Sequence, residues 1–278
     1  MTESEFHTPN FKTPPLSYLT VTAKSMQSAH DFMPHRRSAL LSLAGLGSGA
    51  FAQVAPIRVA AASDLKFVLG ELGARFEREA HLKLAITYGS SGNLARQLEQ
   101  GLPMDLFLSA DEALIARLHK GGWARDAGVV YARGRLAWVV PKTSITTLDT
   151  ELKGMRGYTG KLSIANPEHA PYGRAARAAL QKAGLWEALQ AQLVLGENVS
   201  QAMQFVSTGA APAAIVALSL ASAPELAARI RYVALNPALH PPIIQRMALH
   251  RAAPPAAWKF YEYLQTPAAK QLFEQHGL

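Results

Sequence analysis

Residues Thr87–Gly101 read TYGSSGNLARQLEQG. The run LAITYG, Leu84 to Gly89, has the composition of a strand, and the residues from Asn93 to Gln100 continue as a helix. Gly101 stops that helix, because glycine takes the left-handed cap without a Cβ penalty. Between strand and helix stand Ser90, Ser91 and Gly92. A strand running through a short serine and glycine turn into a helix is half of a parallel β-α-β unit, and the question is whether the pattern recurs.

It recurs along the chain. IRVAAAS at Ile57 to Ser63 is strand-like, and Leu65, Val68, Leu69, Leu72 and Phe76 then repeat at helical spacings of three and four up to Glu79. DLFLSA supplies a third strand. Ser109 and Glu112 fit a capping box, S-x-x-E, heading a helix that ends at Gly121 and Gly122. RLAWVVPK (135–142), KLSIANP (161–167) and AAIVAL (213–218) read as further strands, each followed by a helical pattern. RYVAL and IIQRMAL are late strands. The tail from AAWKFYEYLQ onward is helical and broken at Thr266 and Pro267, which suit N-cap and first-turn positions. The alternation predicts α/β architecture built on parallel sheets.

The 278 residues are 49% hydrophobic and 17% charged, which is a globular composition large enough for one big domain or two modest lobes. The net charge of +8 is spread along the chain, so it does not describe a nucleic-acid groove. Cysteine is absent, which excludes disulfides, thiolate metal sites, cysteine nucleophiles and a lipid-modified cysteine. HRRSALLSLAGLGSGAFAQ, His35 to Gln53, pairs two arginines with an apolar run and ends in an A-x-A arrangement at Ala50 and Ala52. It reads as a twin-arginine-like signal peptide cleaved after Ala52, and is too short for a spanning helix. Residues 1–52 are therefore set apart as leader, with Met33 an alternative start.

Four strand-to-helix junctions share a chemistry. Ser63 and Asp64 precede the first helix, and Ser90, Ser91 and Gly92 the second. HAPYG (169–173) precedes a helix from Arg174, and GENVSQ (196–201) precedes one running through Phe205. The first amides of a helix lack partners within it and carry the positive end of the macrodipole, so such starts attract anions. In parallel sheets they also lie at the carboxyl ends of strands, where ligands bind. Any one such residue is by itself an ordinary cap, worth about 1 kcal/mol.

AAASDL (60–65), YGSSGNLARQLEQG, PMDLFLSADE, ANPEHAPYG and GENVSQAMQFVSTG, in this order, closely resemble the molybdate-binding periplasmic proteins of ABC transporters. The resemblance covers about Ile57 to Leu278. It implies a two-lobed type II periplasmic binding protein, each lobe a mostly parallel sheet flanked by helices, with the ligand between them. Lobe 1 would span 53–134 plus 233–278 and lobe 2 135–232. By motif position the oxyanion residues would be Ser63, Asp64, Ser91, Tyr172 and Val199. Ser63 and Ser91 would give hydroxyl and amide hydrogens, Tyr172 and Val199 amides, and Asp64 its backbone, with its carboxylate turned away to cap its helix. Molybdenum would enter only as molybdate, through these residues, and no cofactor is implied. Ala217 in IVALS stands where many members have a binding tyrosine, which places the chain nearer a branch with an ALS motif.

The implied protein is a periplasmic monomer without a direct membrane anchor. It would bind molybdate or tungstate and deliver it to an inner-membrane ABC permease, with no nucleic-acid partner and no enzymatic activity. Another tetrahedral oxyanion such as sulfate is the alternative ligand. An enzyme alternative is a serine hydrolase using Ser63 and Lys66 in an S-x-x-K pattern, but its S-D-N and K-T-G partners are missing. The other candidates read as structural: GSSGN departs from the hydrolase elbow at Asn93, His169 is a hydrogen-bonded loop residue, and Asp105 and Asp111 serve turns and helix ends. Gly92 would keep its turn open to a ligand.

Overall fold

The computed structural model describes residues 55–278, so the leader expected over 1–52, with its paired arginines and cleavage point, lies outside the described residues. In chain order the elements are β1 (Ile57–Ala62), α1 (Lys66–Ala80), β2 (Leu84–Gly89), α2 (Ser91–Glu99), β3 (Leu106–Ser109), α3 (Glu112–Lys120), β4 (Val129–Gly134) and β5 (Leu136–Pro141). They continue as β6 (Leu162–Ala165), α4 (Pro171–Lys182), α5 (Trp186–Leu189), β7 (Leu193–Gly196), α6 (Val199–Ser207), β8 (Ala213–Ala217) and α7 (Leu218–Ala221). The last four are β9 (Ile230–Ala234), β10 (Ile243–Leu249), α8 (Pro255–Tyr263) and α9 (Pro267–Gln275).

The strands form two five-stranded sheets, ordered β2-β1-β3-β10-β4 and β7-β6-β8-β5-β9. Sheet membership divides the chain into a first lobe from 57–134 with 243–249 and a second from 136–234. The expected boundary at 232 falls inside β9, which pairs along β5 as far as Ala234.

Four strands of each sheet run parallel and the one in fourth place runs against them. β10 is antiparallel to β3 and β4, and β5 is antiparallel to β8 and β9. Parallel neighbours need a long crossover, usually helical. β5 and β10 instead arrive directly from the other lobe, β5 with only Arg135 separating it from β4. That route removes the helix expected after RLAWVVPK. β5 is followed by a loop and a 3-10 turn at Lys153–Met155.

Helices cover both faces of the first sheet. Phe76, Phe260 and Phe273 of α1, α8 and α9 pack on one side; Leu98 of α2 and Ile115 of α3 pack with Phe107 on the other. Trp138 on β5 is fully buried in the second lobe. Each such large apolar side chain contributes about 2 kcal/mol or more.

Several helix ends differ from the sequence reading. The cap of α3 is Asp111, whose carboxylate accepts from the Ala113 amide, and not Ser109. Ser109 is the last residue of β3, and its hydroxyl is engaged with the Asp111 backbone. α2 starts at Ser91 and α4 at Pro171, earlier than expected, because Pro171 carries no amide hydrogen to lose and its fixed φ suits a first position. Gly101 adopts φ +92°, as a left-handed cap requires.

Candidate functional site

Four strands deliver the site. β1 ends at Ala62 and hands over to Ser63, β2 leads through Ser90 to Ser91, β6 leads to the start of α4 at Tyr172, and β7 leads to the start of α6 at Val199. Ser63, Asp64, Ser91, Tyr172 and Val199 all line one small cavity of about 10 Å³ between the lobes, with Ala62, Gly89, Ser90, Ala110, Ala170 and Pro171 completing its wall. That is far below the roughly 300–1,000 Å³ of pockets for organic ligands. Among the described residues no lysine or arginine lines it.

Its donors are nevertheless converging. Ser91, Tyr172 and Val199 occupy the first turns of α2, α4 and α6, and among the described residues their amides have no acceptor within the chain. The Ser91 hydroxyl oxygen accepts from the Ala110 amide at 3.0 Å, and the Ser63 hydroxyl oxygen from the Ser200 amide at 3.3 Å. A hydroxyl that is already accepting keeps its proton to donate. Two hydroxyls and three helix-start amides therefore face one small space, an arrangement suited to an anion held without a formal countercharge.

Asp64 departs from its expected posture. Its carboxylate does not cap the helix: Oδ2 accepts from the Tyr172 hydroxyl at 3.0 Å and the Gln245 side-chain amide at 2.7 Å, while Oδ1 is buried without a partner. Gln245 also donates to the Tyr172 hydroxyl at 2.9 Å and accepts from Tyr131 at 2.7 Å. Sequence reasoning missed Gln245 and Tyr131. The register of β10 on β4 steps from Gln245 opposite Ala132 to Arg246 opposite Val130, which leaves Tyr131 as the bulged residue. Bulges re-aim side chains beside sites.

The lobes are closed on one another. The Gly92 amide donates to the His169 carbonyl at 3.0 Å, the Ser90 hydroxyl meets His169 Nδ1 at 2.9 Å, and Arg174 pairs with Asp111 at 2.5 Å. Asn93 hydrogen-bonds Glu197, and Ser219 donates to the Asp64 carbonyl at 2.9 Å. A Cβ on Gly92 would lie 2.4 Å from the His169 carbonyl oxygen. Gly92 thus lets the two backbones touch, and is not there to hold a turn open to a ligand.

Residues 57–278 match the family model of bacterial extracellular solute-binding proteins. The chain belongs to that family. It is 32% identical over 253 residues to the molybdate-binding protein ModA of Escherichia coli, covering 86% of this chain and 94% of that one. It is 36% identical over 179 residues to ModA of Azotobacter vinelandii, covering 63% of this chain and 70% of the relative. The solved Azotobacter vinelandii periplasmic molybdate-binding protein superposes with a TM-score of 0.74 at 26% identity, over 80% of this chain and 97% of that one.

In this solute-binding protein the hydrolase pattern has no chemistry behind it. Lys66 is exposed on α1 and forms no hydrogen bond to the Ser63 hydroxyl, so Ser63 has no base. Asp105 and Asp111 are not an acid/base pair either: Asp105 is bound by Arg58 at 2.6 Å, and Asp111 by Arg174. A larger groove of about 390 Å³ lies beside the cavity, but it is lined mainly by Ala, Pro and Ile, and its Asp111 and Arg174 neutralise each other. It offers no converging free donors. Asn198 caps α6, its side chain accepting from the Gln201 amide.

Burial pushes the Asp64 carboxyl up from 3.8 to about 6, and the bonds from Gln245 and Tyr172 recover only part of the shift. A group whose folded pKa is raised contributes stability that is complete below pH 3.8 and lost as the pH rises through about 6. Two units correspond to about 3 kcal/mol. Without oxyanion, Asp64→Asn is expected to melt roughly 6 to 12 °C above the parent at pH 7.5, with the gap closing near pH 4. Thermal melts at the two pH values check this, and a pH-independent gap would show the carboxyl to be solvated.

Proposed function

We propose that this chain is a periplasmic molybdate-binding protein that also takes tungstate, which has nearly the same size and charge. It would hand the anion to an inner-membrane ABC permease after removal of a signal peptide ending near Ala52. The observation that carries the reading is the convergence of Ser63, Ser91, Tyr172 and Val199 on one small cavity without cationic side chains. Ser63 and Ser91 give hydroxyl hydrogens and Tyr172 and Val199 give amides. The names of the relatives support molybdate as the anion. No helix among the described residues is long and apolar enough to cross a membrane.

Ligand at about 100 times its dissociation constant adds about 2.7 kcal/mol, a melting shift of roughly 5 to 10 °C for a chain of this size. The shift is expected with molybdate and tungstate and not with sulfate or phosphate. A response to sulfate alone would reassign the ligand, and no response to any oxyanion would remove the function. Ser91→Ala should weaken molybdate binding about 10- to 100-fold, since a hydrogen bond to a charged group contributes about 1.5–3 kcal/mol and the Ala110 amide loses its acceptor. Titration calorimetry measures this, and unchanged affinity would take Ser91 out of the site.

A further inference from the structure

The cavity contains one group of the wrong sign. Asp64 is 1% exposed and lines the space assigned to a dianion. Its Oδ2 is saturated by two donors from Tyr172 and Gln245, and its Oδ1 is buried with no partner. An unpartnered buried oxygen is costly in a native structure and calls for a hydrogen-bond partner supplied by something else.

Among the described residues the surroundings offer the carboxylate no cation. The ionisable groups facing it are the Tyr172 hydroxyl on α4 and the Tyr131 hydroxyl on β4, both pushed well above their ordinary range by burial first and by Asp64 itself, and so neutral. Gln245 on β10 is uncharged. α6 and α7, which pack against the Ser63–Leu65 turn, carry no ionisable residue, and Lys66 at the start of α1 points to solvent. A bare carboxylate beside a dianion about 4 Å away would weaken binding by about six decades even at an effective dielectric constant of roughly 20. Protonating a carboxyl with a pKa near 6 at pH 7.5 weakens it only about thirtyfold. The neutral acid is therefore the form compatible with an anion.

We propose that Asp64 enters the oxyanion complex as the neutral acid, its Oδ1–H donating to a ligand oxygen, so that each dianion captured draws one proton from solvent. This rests on the oxyanion reading of the site. The proton passes from hydronium or buffer acid to Oδ1, the anion remains a dianion, and no other bond changes. The orphaned oxygen thereby becomes a donor, and the Oδ2 contacts are unaffected. Release of the anion returns the proton, so mildly acidic surroundings favour capture and alkaline ones favour release.

The test is calorimetric titration of the mature protein with molybdate at pH 7.5 in two buffers of different ionisation heat, repeated from pH 7 to 8.5. The expected result is uptake of close to one proton per anion and a dissociation constant that rises about tenfold per pH unit. In Asp64→Asn, whose side-chain amide donates at every pH, both signals should vanish and binding at pH 8.5 should be tighter than in the parent. Molybdate binding without proton uptake would overturn the proposal and leave the function standing, as would a pH slope surviving in Asp64→Asn, which would assign the proton to another group. No binding of molybdate by the parent protein at any pH would remove the underlying reading and this inference with it.

Discussion

Replacing Gly92 by alanine is expected to weaken oxyanion binding by at least about 100-fold while leaving the melting temperature of the unliganded protein almost unchanged. The added methyl would stand 2.4 Å from the His169 carbonyl oxygen, and the atoms it meets are backbone, which cannot step aside as a flexible side chain can. Gly92 lies in the first turn of α2, where alanine is well tolerated, so the first lobe itself is not strained. The clash exists only when the lobes meet. With closure blocked, the anion keeps Ser63 and Ser91 and loses the amides of Tyr172 and Val199, each worth about 1.5–3 kcal/mol toward a charged ligand. Together that is roughly 3–6 kcal/mol, or about two to four decades of affinity. Calorimetric titration with molybdate, paired with a thermal melt, checks it; wild-type affinity would mean the lobes bind the anion without the Gly92 contact.

The largest expected loss of stability comes from Trp138→Ala. Trp138 is fully buried on β5, between β8 and β9 in the second sheet, and is the largest side chain among the described residues to be so enclosed. Truncation at such a position costs about 3–5 kcal/mol, since the transfer energy is lost and a cavity is left. For a chain of this size the midpoint should fall by roughly 6 to 20 °C. Trp138→Phe separates packing from polarity. The indole nitrogen has no hydrogen-bond partner, so phenylalanine removes volume without breaking a bond and should be clearly milder. Equal losses for the two substitutions would show that the ring's full volume, and not its presence, holds the lobe.

Much of this was legible in the sequence because it is local. The strands IRVAAA, LAITYG and LFLS and the four strand-to-helix junctions follow from short-range pattern and cap chemistry, the choice of Ser63, Ser91, Tyr172 and Val199 within them from the family resemblance, and the structure brings those positions to one cavity. What was not legible depends on distant partners. The direction of β5 and β10 is set by how the chain crosses between lobes. The Asp64 carboxylate turns toward Gln245, 181 residues away, and no spacing rule links them. Gly92 is constrained by His169 on the facing lobe, so its role is invisible until the lobes are set against each other. Ser109 lost the cap to Asp111 because β3 extends through it, a tertiary pairing overriding a local motif.

The position of β10 between β3 and β4 also sets a timetable for synthesis. All strands of the second sheet lie within residues 136–234, and can pair as soon as that stretch exists. β4 has no neighbour in its own sheet until residues 243–249 arrive, more than one hundred residues later. The half of the protein made first must therefore wait, open at one side, for the half made second to finish, since non-local pairings form slowly and leave edges exposed meanwhile. A chain cut after residue 234 would keep a complete second sheet and an unfinished first one.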